Sequence, residues 1–491
     1  MENQKTKIIS IASIIALALT LVTATFAYFM AQTGEGKSTD IKINASTVDT
    51  FTFEAGSAIS LNLNQDNFAS GKGNQTGTTF AKAMLTANNK TNTATEHYYM
   101  YLNISNNTFT YSIDNNTPEI LLSIKDGSNN EITALTGLTY KTVTDGKGAS
   151  IKGFDITTKS GLITILNNRE ITTTSTKTEE WNVTVIFVNY NSNQAGNAGK
   201  NFSAKLMIQK EKMPTVLSDV CTSGNNLATC ITTWSNKSEP SIVNIYHHTS
   251  SLANGAGDNS YRYAGASESV NNYICLGSDK ATCPDANLFR IIGVFGDQTK
   301  VIRAKSVGNK QWHSSESNTW SSSSLNTYLN GEYLTSLGTL ADKIATTTWK
   351  VGGGTWSNIA TSVPKTVYQY EVGSSSSTTT VDKKIGLMYV SDYYYSASPS
   401  AWTLVGYNSS DATKDYRAAT STNWLYLGST EWTISRDSDD TNYAFRVTST
   451  GDVNFSIVDS RSFAVRPSFN LESSVKYVSG SGSMSDPVRV K

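Results

Sequence analysis

The sequence contains few of the residues on which most catalytic centres depend. Its 491 residues include only 4 His and 4 Cys, and charged residues make up 16% of the chain. Acyl transfer by a triad needs a Ser or Cys beside a His that a carboxylate orients. Beyond residue 258 the only His is His313, and its Ser neighbours reflect the general abundance of serine. There is also no Walker loop, dinucleotide fingerprint or zinc-binding His/Glu motif, so we predict that the protein is not an enzyme.

An excess of charge of one sign is absent, and proline is scarce. Lys+Arg and Asp+Glu both number 40, which gives a formal net charge of +0 at pH 7. Without a basic field to hold a phosphate backbone, we expect no nucleic-acid partner. Only 8 residues are Pro, while 9 Trp, 24 Tyr and 16 Phe can bury a sizeable core, so global disorder is not expected. This composition, with many polar turn residues, favours β-rich folds over helical bundles.

One long apolar run is present, at the N-terminus. Lys5 and Lys7 precede it, and it carries no charge before Glu35. A basic start, an apolar run and small residues near Ala27 are typical of a secretory signal. The run is also long enough, at about 20 residues, to span a bilayer if it is retained. We therefore assign residues 1–37 to a signal peptide or membrane anchor. The expected location is secreted or cell-surface, with membrane contact only through this segment.

The four cysteines form two closely spaced pairs. Cys221 and Cys230 lie nine residues apart, and Cys275 and Cys283 lie eight apart. Both pairs enclose turn residues, as local disulfide loops of exported proteins do. Four cysteines allow three pairings, and we favour the two local ones. The alternative is a four-thiolate zinc site, but both spacings exceed the usual two to four residues.

Residues 38–210 show strand-like runs separated by polar turns. In one of these runs, Trp181, Val183, Val185 and Phe187 share one parity and would face a core. Strands of this length and spacing, with few helical windows, predict an antiparallel β-sandwich.

The rest of the chain has a different pattern. Residues 211–258 hold the first cysteine pair among polar turns and are interpreted as a disulfide-containing connector. Within residues 259–491, the run 288–295 is apolar on both parities, as a central strand would be, and 299–305 resembles its hairpin partner. The clearest helical spacing lies in residues 321–340. Short strands follow, so the predicted fold is mostly β, with the sandwich followed by an α+β domain.

Two segments resemble known families. The leader "LALTLVTATFAYFMAQT" resembles the signal peptides handled by SipW-type signal peptidases, which are found on TasA/camelysin-type biofilm and surface proteins. Residues 259–491 resemble a domain of unknown function that recurs at the C-termini of exported proteins from Gram-positive gut bacteria. The matching pieces are "YICLGSD", "NLFRIIGVF", "WSSSSLNTYLNGEYL", "KIGLMYVSDYYY" and "FAVRPSFNLESSVKYVSGSGSMSDPVRVK".

This second family is similar in pattern to C-type-lectin-like and formylglycine-generating-enzyme-like folds. The resemblance implies a C-type-lectin-like display fold whose loops are free to vary, and it implies no established activity. The thiols that formylglycine-generating enzymes require have no counterpart late in this domain, since no Cys follows Cys283.

Late aromatic and acidic residues are the candidate ligand contacts. Tyr and Trp supply large contact area at modest entropic cost, and polar neighbours supply adaptable hydrogen bonds. The predicted ligand-binding residues are Trp402, Trp424, Trp432, Asp437, Asp439, Asp440, Asn442 and Tyr443. The acids of this set could hold calcium, but the turn Gly and the closing Glu of an EF-hand loop are missing. We therefore predict no cofactor, with calcium as the alternative.

Arg466 and Pro467 interrupt an apolar run near the end of the sequence. Pro467 removes one ladder donor, which predicts an edge or bulged strand. Arg466 is assigned a structural role, in which its guanidinium anchors neighbouring loops through paired hydrogen bonds to carbonyls or a carboxylate.

Together these features predict an exported bacterial surface protein that acts as a non-enzymatic binding or adhesion protein. Its partner would be a glycan or a surface protein of a host or neighbouring cell. The first alternative is a structural subunit of an extracellular matrix or fibre, which would self-associate by strand exchange between sandwiches. The second alternative is an enzyme of the formylglycine-generating type.

Overall fold

The computed structural model describes residues 49–68, 71–88 and 92–491, and the predicted leader lies outside these residues. The fold is mostly β with several antiparallel sheets, which confirms the predicted class. The chain divides into two compact units, one ending at Met213 and the other comprising Pro214–Lys491. Within the described part of the chain, no helix has the length and hydropathy needed to cross a bilayer.

The first unit is built from two antiparallel sheets. Its described strands are β1 Thr50–Ala55, β2 Ile59–Asn62, β3 Gln75–Thr86, β4 Ala94–Asn107, β5 Ile120–Asp126, β6 Tyr140–Thr144, β7 Ser150–Asp155, β8 Gly161–Thr173, β9 Thr176–Phe187 and β10 Asn201–Gln209, with short 3-10 turns at Gln65–Phe68 and Ala195–Asn197. One sheet has the order β1-β3-β9-β5-β7-β6, and the other has the order β2-β10-β4-β8.

The two sheets of this unit enclose buried apolar clusters between them, as a sandwich requires. On β9, Trp181, Val183, Val185 and Phe187 are buried while the residues between them are more exposed. These side chains pack in one cluster with residues of the second sheet, among them Leu102 of β4. Alternation along the strand therefore places the apolar set inward, as its parity predicts.

The second unit mixes helices with many short strands. Its helices are α1 Leu227–Lys237, α2 Pro240–Val243, α3 Ser324–Tyr328, α4 Leu334–Ser336, α5 Trp356–Ile359, α6 Pro364–Glu371 and α7 Val390–Tyr395, with a π-helical turn at Leu329–Tyr333. Its 3-10 turns are Leu217–Asp219, Asp285–Asn287, Trp320–Ser322, Gly338–Lys343, Pro399–Ala401, Ala412–Lys414 and Tyr416–Thr422. Its strands are β11 Ile245–His247, β12 Tyr261–Tyr263, β13 Tyr273–Cys275, β14 Leu288–Phe295, β15 Gln298–Arg303, β16 Asn309–Gln311, β17 Thr347–Lys350, β18 Thr380–Lys383, β19 Ile385–Gly386, β20 Glu431–Arg436, β21 Tyr443–Val447, β22 Val453–Ile457, β23 Ser462–Ala464, β24 Ser468–Leu471, β25 Tyr477–Ser479 and β26 Val488–Val490.

The large sheet of this unit has the order β19-β24-β15-β14-β13-β26-β25, and β12 pairs with both β11 and β14. A second sheet has the order β16-β23-β20-β21-β22, and β17 pairs with β18. Strand β14 is buried along nearly its whole length and forms a hairpin with β15, as its apolar character on both faces predicts.

The predicted connector, residues 211–258, is not a separate segment. From Pro214 onward it belongs to the second unit, and α1 buries Leu227, Ile231 and Trp234 in the core of that unit. These side chains recur at helical spacing, which the surrounding polar residues obscured in the sequence.

Both predicted local disulfides are confirmed. Cys221 pairs with Cys230, and Cys275 pairs with Cys283. The first bridge ties the loop before α1 to the first turn of that helix, and the second encloses the loop between β13 and β14.

The strand predicted around Pro467 is a crossing between two sheets and not an edge. Strand β23 pairs with β16 and β20 in one sheet, while β24 lies between β15 and β19 in the other. Pro467 falls between the two strands, so its missing N–H removes no ladder hydrogen bond from either of them.

Candidate functional site

The three tryptophans predicted as ligand contacts are core residues. Trp402, Trp424 and Trp432 are 1%, 2% and 0% exposed. Each indole N–H donates to a backbone carbonyl, at 3.0, 2.8 and 2.9 Å respectively. Buried indoles normally need such a partner, and these three bind the backbone of β12, of β16 and of the segment after α7. They offer no surface to a ligand, which corrects the role predicted for them.

The other predicted residues lie in the segment from the end of β20 to the first residue of β21, here called the acidic loop (437–443). Asp437 is buried, whereas Asp439 and Asp440 are exposed. The Asp437 carboxylate accepts the N–H of Asp439 at 3.0 Å, and the Asp440 carboxylate accepts the N–H of Asn442 at 3.2 Å. Burial raises the pKa of Asp437. Two of these acids therefore shape the turn itself.

A buried amide fixes the acidic loop from inside. Asn318 is 1% exposed. Its Nδ2 donates to the carbonyls of Asp437, Asp440 and Tyr443 at 2.8, 2.7 and 2.8 Å. Its Oδ1 accepts a hydrogen bond from the Arg436 guanidinium at 3.1 Å. These partners span the loop from end to end, so one side chain contacts the loop along its whole length.

A glycine segment after β17 packs against the start of the acidic loop. Gly354 donates its N–H to the Arg436 carbonyl at 3.2 Å and accepts the N–H of Ser438 at 3.1 Å. Gly353 has φ +67, and a Cβ there would lie 1.9 Å from the Arg436 carbonyl oxygen. Only glycine permits this approach and this backbone conformation together. The contact brings Trp356, the first residue of α5, to the same region.

Trp356 belongs to a row of four aromatic side chains, here called the aromatic strip. The order is Tyr407, Trp356, Phe455 and Tyr443, with successive ring centroids 5.9, 4.9 and 4.8 Å apart. All three contacts are edge-to-face, and all four side chains are partly exposed. The four residues come from four separate segments of the second unit, and Tyr443 also ends the acidic loop.

A positive charge lies at the opposite end of the aromatic strip. The Arg417 guanidinium is 5.3 Å from the centroid of the Tyr407 ring. Asp415, which is 0% exposed, holds this guanidinium through contacts of 2.9 and 2.5 Å. The strip thus runs from a fixed cation to a fixed acidic loop. Such a surface can offer apolar faces, a hydrogen-bond donor and several acceptors to one bound molecule.

Sequence reasoning identified Tyr443 and the acidic loop but missed Trp356, Tyr407 and Phe455. Tyr407 directly follows Gly406, and Trp356 comes two residues after Gly354; an aromatic residue beside a glycine turn is the signal that could have found them. The strip itself could not be found by proximity in the sequence, because the fold brings its members together.

Arg466 lies outside this surface and has a structural role. Its Nε and Nη2 donate to the two carboxylate oxygens of Glu431 at 2.6 and 2.7 Å, and Nη2 also donates to the Leu425 carbonyl at 2.6 Å. This is the paired contact expected from the sequence. Burial raises the pKa of Glu431, and the Arg466 charge opposes that effect.

Comparison with known proteins shows similarity to one family and gives no activity. Residues 296–473 are similar to a family described as a domain of unknown function, DUF6273. The match covers less than half of the chain and includes the whole acidic loop and aromatic strip. No curated protein matches this chain. Among the described residues, no group of three or more His, Cys, Asp and Glu side chains is arranged to hold a metal ion.

Proposed function

We propose that this protein is an exported surface protein that binds a glycan through the aromatic strip, without catalysing a reaction. The observation that carries the proposal is the row of four partly exposed aromatic rings between Arg417 and the acidic loop. An aromatic ring provides apolar contact for the C–H face of a sugar. Carboxylate and amide oxygens accept hydrogen bonds from sugar hydroxyls, and a guanidinium donates to their oxygens.

The rigidity of the surface supports a binding role. Asn318 holds the acidic loop, and the close contact at Gly353 fixes the segment that carries Trp356. A surface ordered before the ligand arrives loses less conformational entropy on binding. In this proposal the second unit acts as a display domain of the C-type-lectin-like kind, with the site on its loops.

The cysteines support export and a binding role. Both pairs are oxidised, which is compatible with an extracellular location. Because all four cysteines are in disulfides, no thiol is left for chemistry of the formylglycine-generating type. The apolar leader and its resemblance to the leaders of biofilm and surface proteins agree with this location.

Screening the full chain on a glycan array tests the proposed ligand class. We expect binding to a related set of glycans, and we expect Trp356→Ala to remove it. Signals that Trp356→Ala and Tyr443→Ala both leave unchanged would contradict the proposed surface. A chain that binds no glycan but captures purified cell-surface proteins would instead favour a protein ligand. Large salt-stable polymers of the secreted protein would favour the fibre alternative.

A further inference from the structure

A buried lysine and a buried aspartate meet in the second unit, apart from the residues of the aromatic strip. Lys300 is on β15 and Asp392 is on α7, and Nζ lies 2.5 Å from Oδ2. Their side chains are 7% and 3% exposed. The two residues are 92 positions apart in the sequence, so the contact joins distant parts of the unit.

Aromatic rings surround the lysine amine. Nζ lies 4.8 Å from the ring centroid of Tyr389, 5.5 Å from that of Trp349 and 5.6 Å from that of Phe295. Water is largely excluded from such a site, and burial lowers the pKa of Lys300 although Asp392 opposes the shift. A lower pKa increases the share of neutral amine, which is the nucleophilic form.

A second buried acid lies beside the same helix. Glu371 is 2% exposed, and its carboxylate accepts the N–H groups of Val390 and Ser391 at 3.0 and 2.8 Å. These two residues directly precede Asp392, so Glu371 is held at the N-terminal end of α7. Burial raises the pKa of Glu371, and its charge acts on the Lys300 amine. Glu371 is therefore a second buried carboxylate, held at the N-terminal end of the helix that carries Asp392, and it is the group we assign to proton transfer.

We propose that Lys300 and Asp392 condense to form an intramolecular isopeptide bond. Proton transfer from the ammonium to the carboxylate gives a neutral amine and a neutral acid. The Lys300 Nζ then attacks Cγ of Asp392, which forms the C–N bond. The bond from Cγ to the hydroxyl oxygen breaks as Glu371 passes the proton lost by Nζ to that oxygen. One water leaves, so the atoms balance and no oxidant or cofactor is needed.

The neighbouring charges are consistent with this product. Arg262 is also buried, and its Nη2 lies 2.6 Å from Oδ2 of Asp258, whereas its Nη1 lies 3.6 Å from Oδ1 of Asp392. Condensation replaces the Lys300–Asp392 ion pair by a neutral amide and leaves Arg262 paired with Asp258. Removing two buried charges also removes their desolvation cost, and no buried cation loses its only partner.

Mass spectrometry of a tryptic digest of the full chain tests the proposal directly. We expect a branched peptide that joins residues 291–303 to residues 385–414 and is one water lighter than the two peptides together. This species should persist after full reduction, unlike the disulfide-linked peptides. Lys305 and Asp285 are an internal control, because their contact is 2.6 Å long but their side chains are 61% and 65% exposed. Recovery of residues 291–300 as an ordinary peptide, with no branched species, would overturn the proposal.

Variants assign the roles of the three residues. Lys300→Arg and Asp392→Ala should abolish the branched peptide. Glu371→Gln should reduce its yield at least several-fold while both disulfides and the circular dichroism spectrum are retained. An undiminished yield in Glu371→Gln would overturn the role of that residue in proton transfer. If a variant does not fold, the digest of the unmodified sequence still decides whether the bond exists.

Discussion

Asn318 shows how one buried residue can define a surface loop. Its amide nitrogen donates hydrogen bonds to three carbonyls of the acidic loop, and its amide oxygen accepts a hydrogen bond from Arg436. If the amide is removed, the carbonyls within the fold lose their donor without gaining water. Leaving buried polar groups unsatisfied costs about 1–3 kcal/mol.

We therefore expect Asn318→Ala to lower the free energy of unfolding of the second unit by about 1–3 kcal/mol. Urea unfolding followed by tryptophan fluorescence measures this, because Trp181 is the only Trp outside that unit. Asn309→Ala is the control, since the Asn309 side chain is exposed on β16 and should change stability little. Equal effects of the two substitutions would contradict the role of Asn318.

His248 makes the second unit sensitive to acid. Its ring is 0% exposed, lies 4.7 and 5.1 Å from the ring centroids of Tyr395 and Trp402, and accepts the N–H of Ala256 at Nδ1. Burial lowers the pKa of His248 to about 2, with the Arg262 charge adding to the effect. The folded state thus keeps this ring neutral at a pH where the unfolded chain binds a proton.

The sign of the pH effect follows from that difference. The contribution of His248 is complete above its ordinary pKa of 6.5 and is lost as the pH falls below that value. From pH 6 to pH 5, the free energy of unfolding of the unmodified chain should fall more steeply than that of His248→Gln. We expect the two slopes to differ by up to about 1.4 kcal/mol per pH unit. Urea unfolding at several pH values measures both slopes, and identical slopes would contradict this account.

At the level of elements, the glycine segment makes a close contact with Arg436, the last residue of β20, just before α5 begins. Gly353 and Gly338 both have positive φ, but only at Gly353 would a Cβ meet another atom within 4 Å. Gly353→Ala should therefore lower the free energy of unfolding by clearly more than Gly338→Ala, which incurs only the backbone strain of roughly 1 kcal/mol. Parallel urea titrations measure the difference, and equal losses would mean that the contact at Arg436 is not tight.

Elements whose packing follows from their own residues could be predicted from the sequence. The β14–β15 hairpin is an example, because β14 is apolar on both faces and a turn follows it directly. The helical spacing in residues 321–340 predicted a helix there, and the structure has α3 and α4 in this range, separated by a π-helical turn. Helix α1 was missed because polar residues alternate with its buried side chains.

The candidate site was harder to predict for a physical reason. Trp402, Trp424 and Trp432 have polar neighbours in the sequence, yet their rings fill the core and their N–H groups bind backbone carbonyls. A polar neighbourhood in sequence therefore says little about exposure. Trp356 and Tyr407 meet only because the fold brings α5 against the segment of Tyr407, and Trp356 also contacts Phe455 of β22.

For the whole molecule, the disulfides make the two units respond differently to reduction. All four cysteines lie in the second unit, where the bridges close loops with separations of 9 and 8 residues. In the loop-entropy model, a loop of this size contributes roughly 2–3 kcal/mol. We expect Cys221→Ala/Cys230→Ala to lower the stability of the second unit by about that amount and to leave the first unit unchanged. Differential scanning calorimetry measures the change, and an unaltered melting profile in the double variant would contradict the contribution of this bridge.

The central claim is that the aromatic strip binds a glycan, and the affinity of one array hit tests it most directly. Calorimetric titration of that glycan should give a Kd at least about tenfold weaker for Trp356→Ala, as expected when a central aromatic contact is lost. Tyr261→Ala should leave the Kd unchanged, because Tyr261 is a partly exposed aromatic residue on β12 that stacks on His247 at 4.0 Å. Equal affinities for both variants and the unmodified chain would contradict the account.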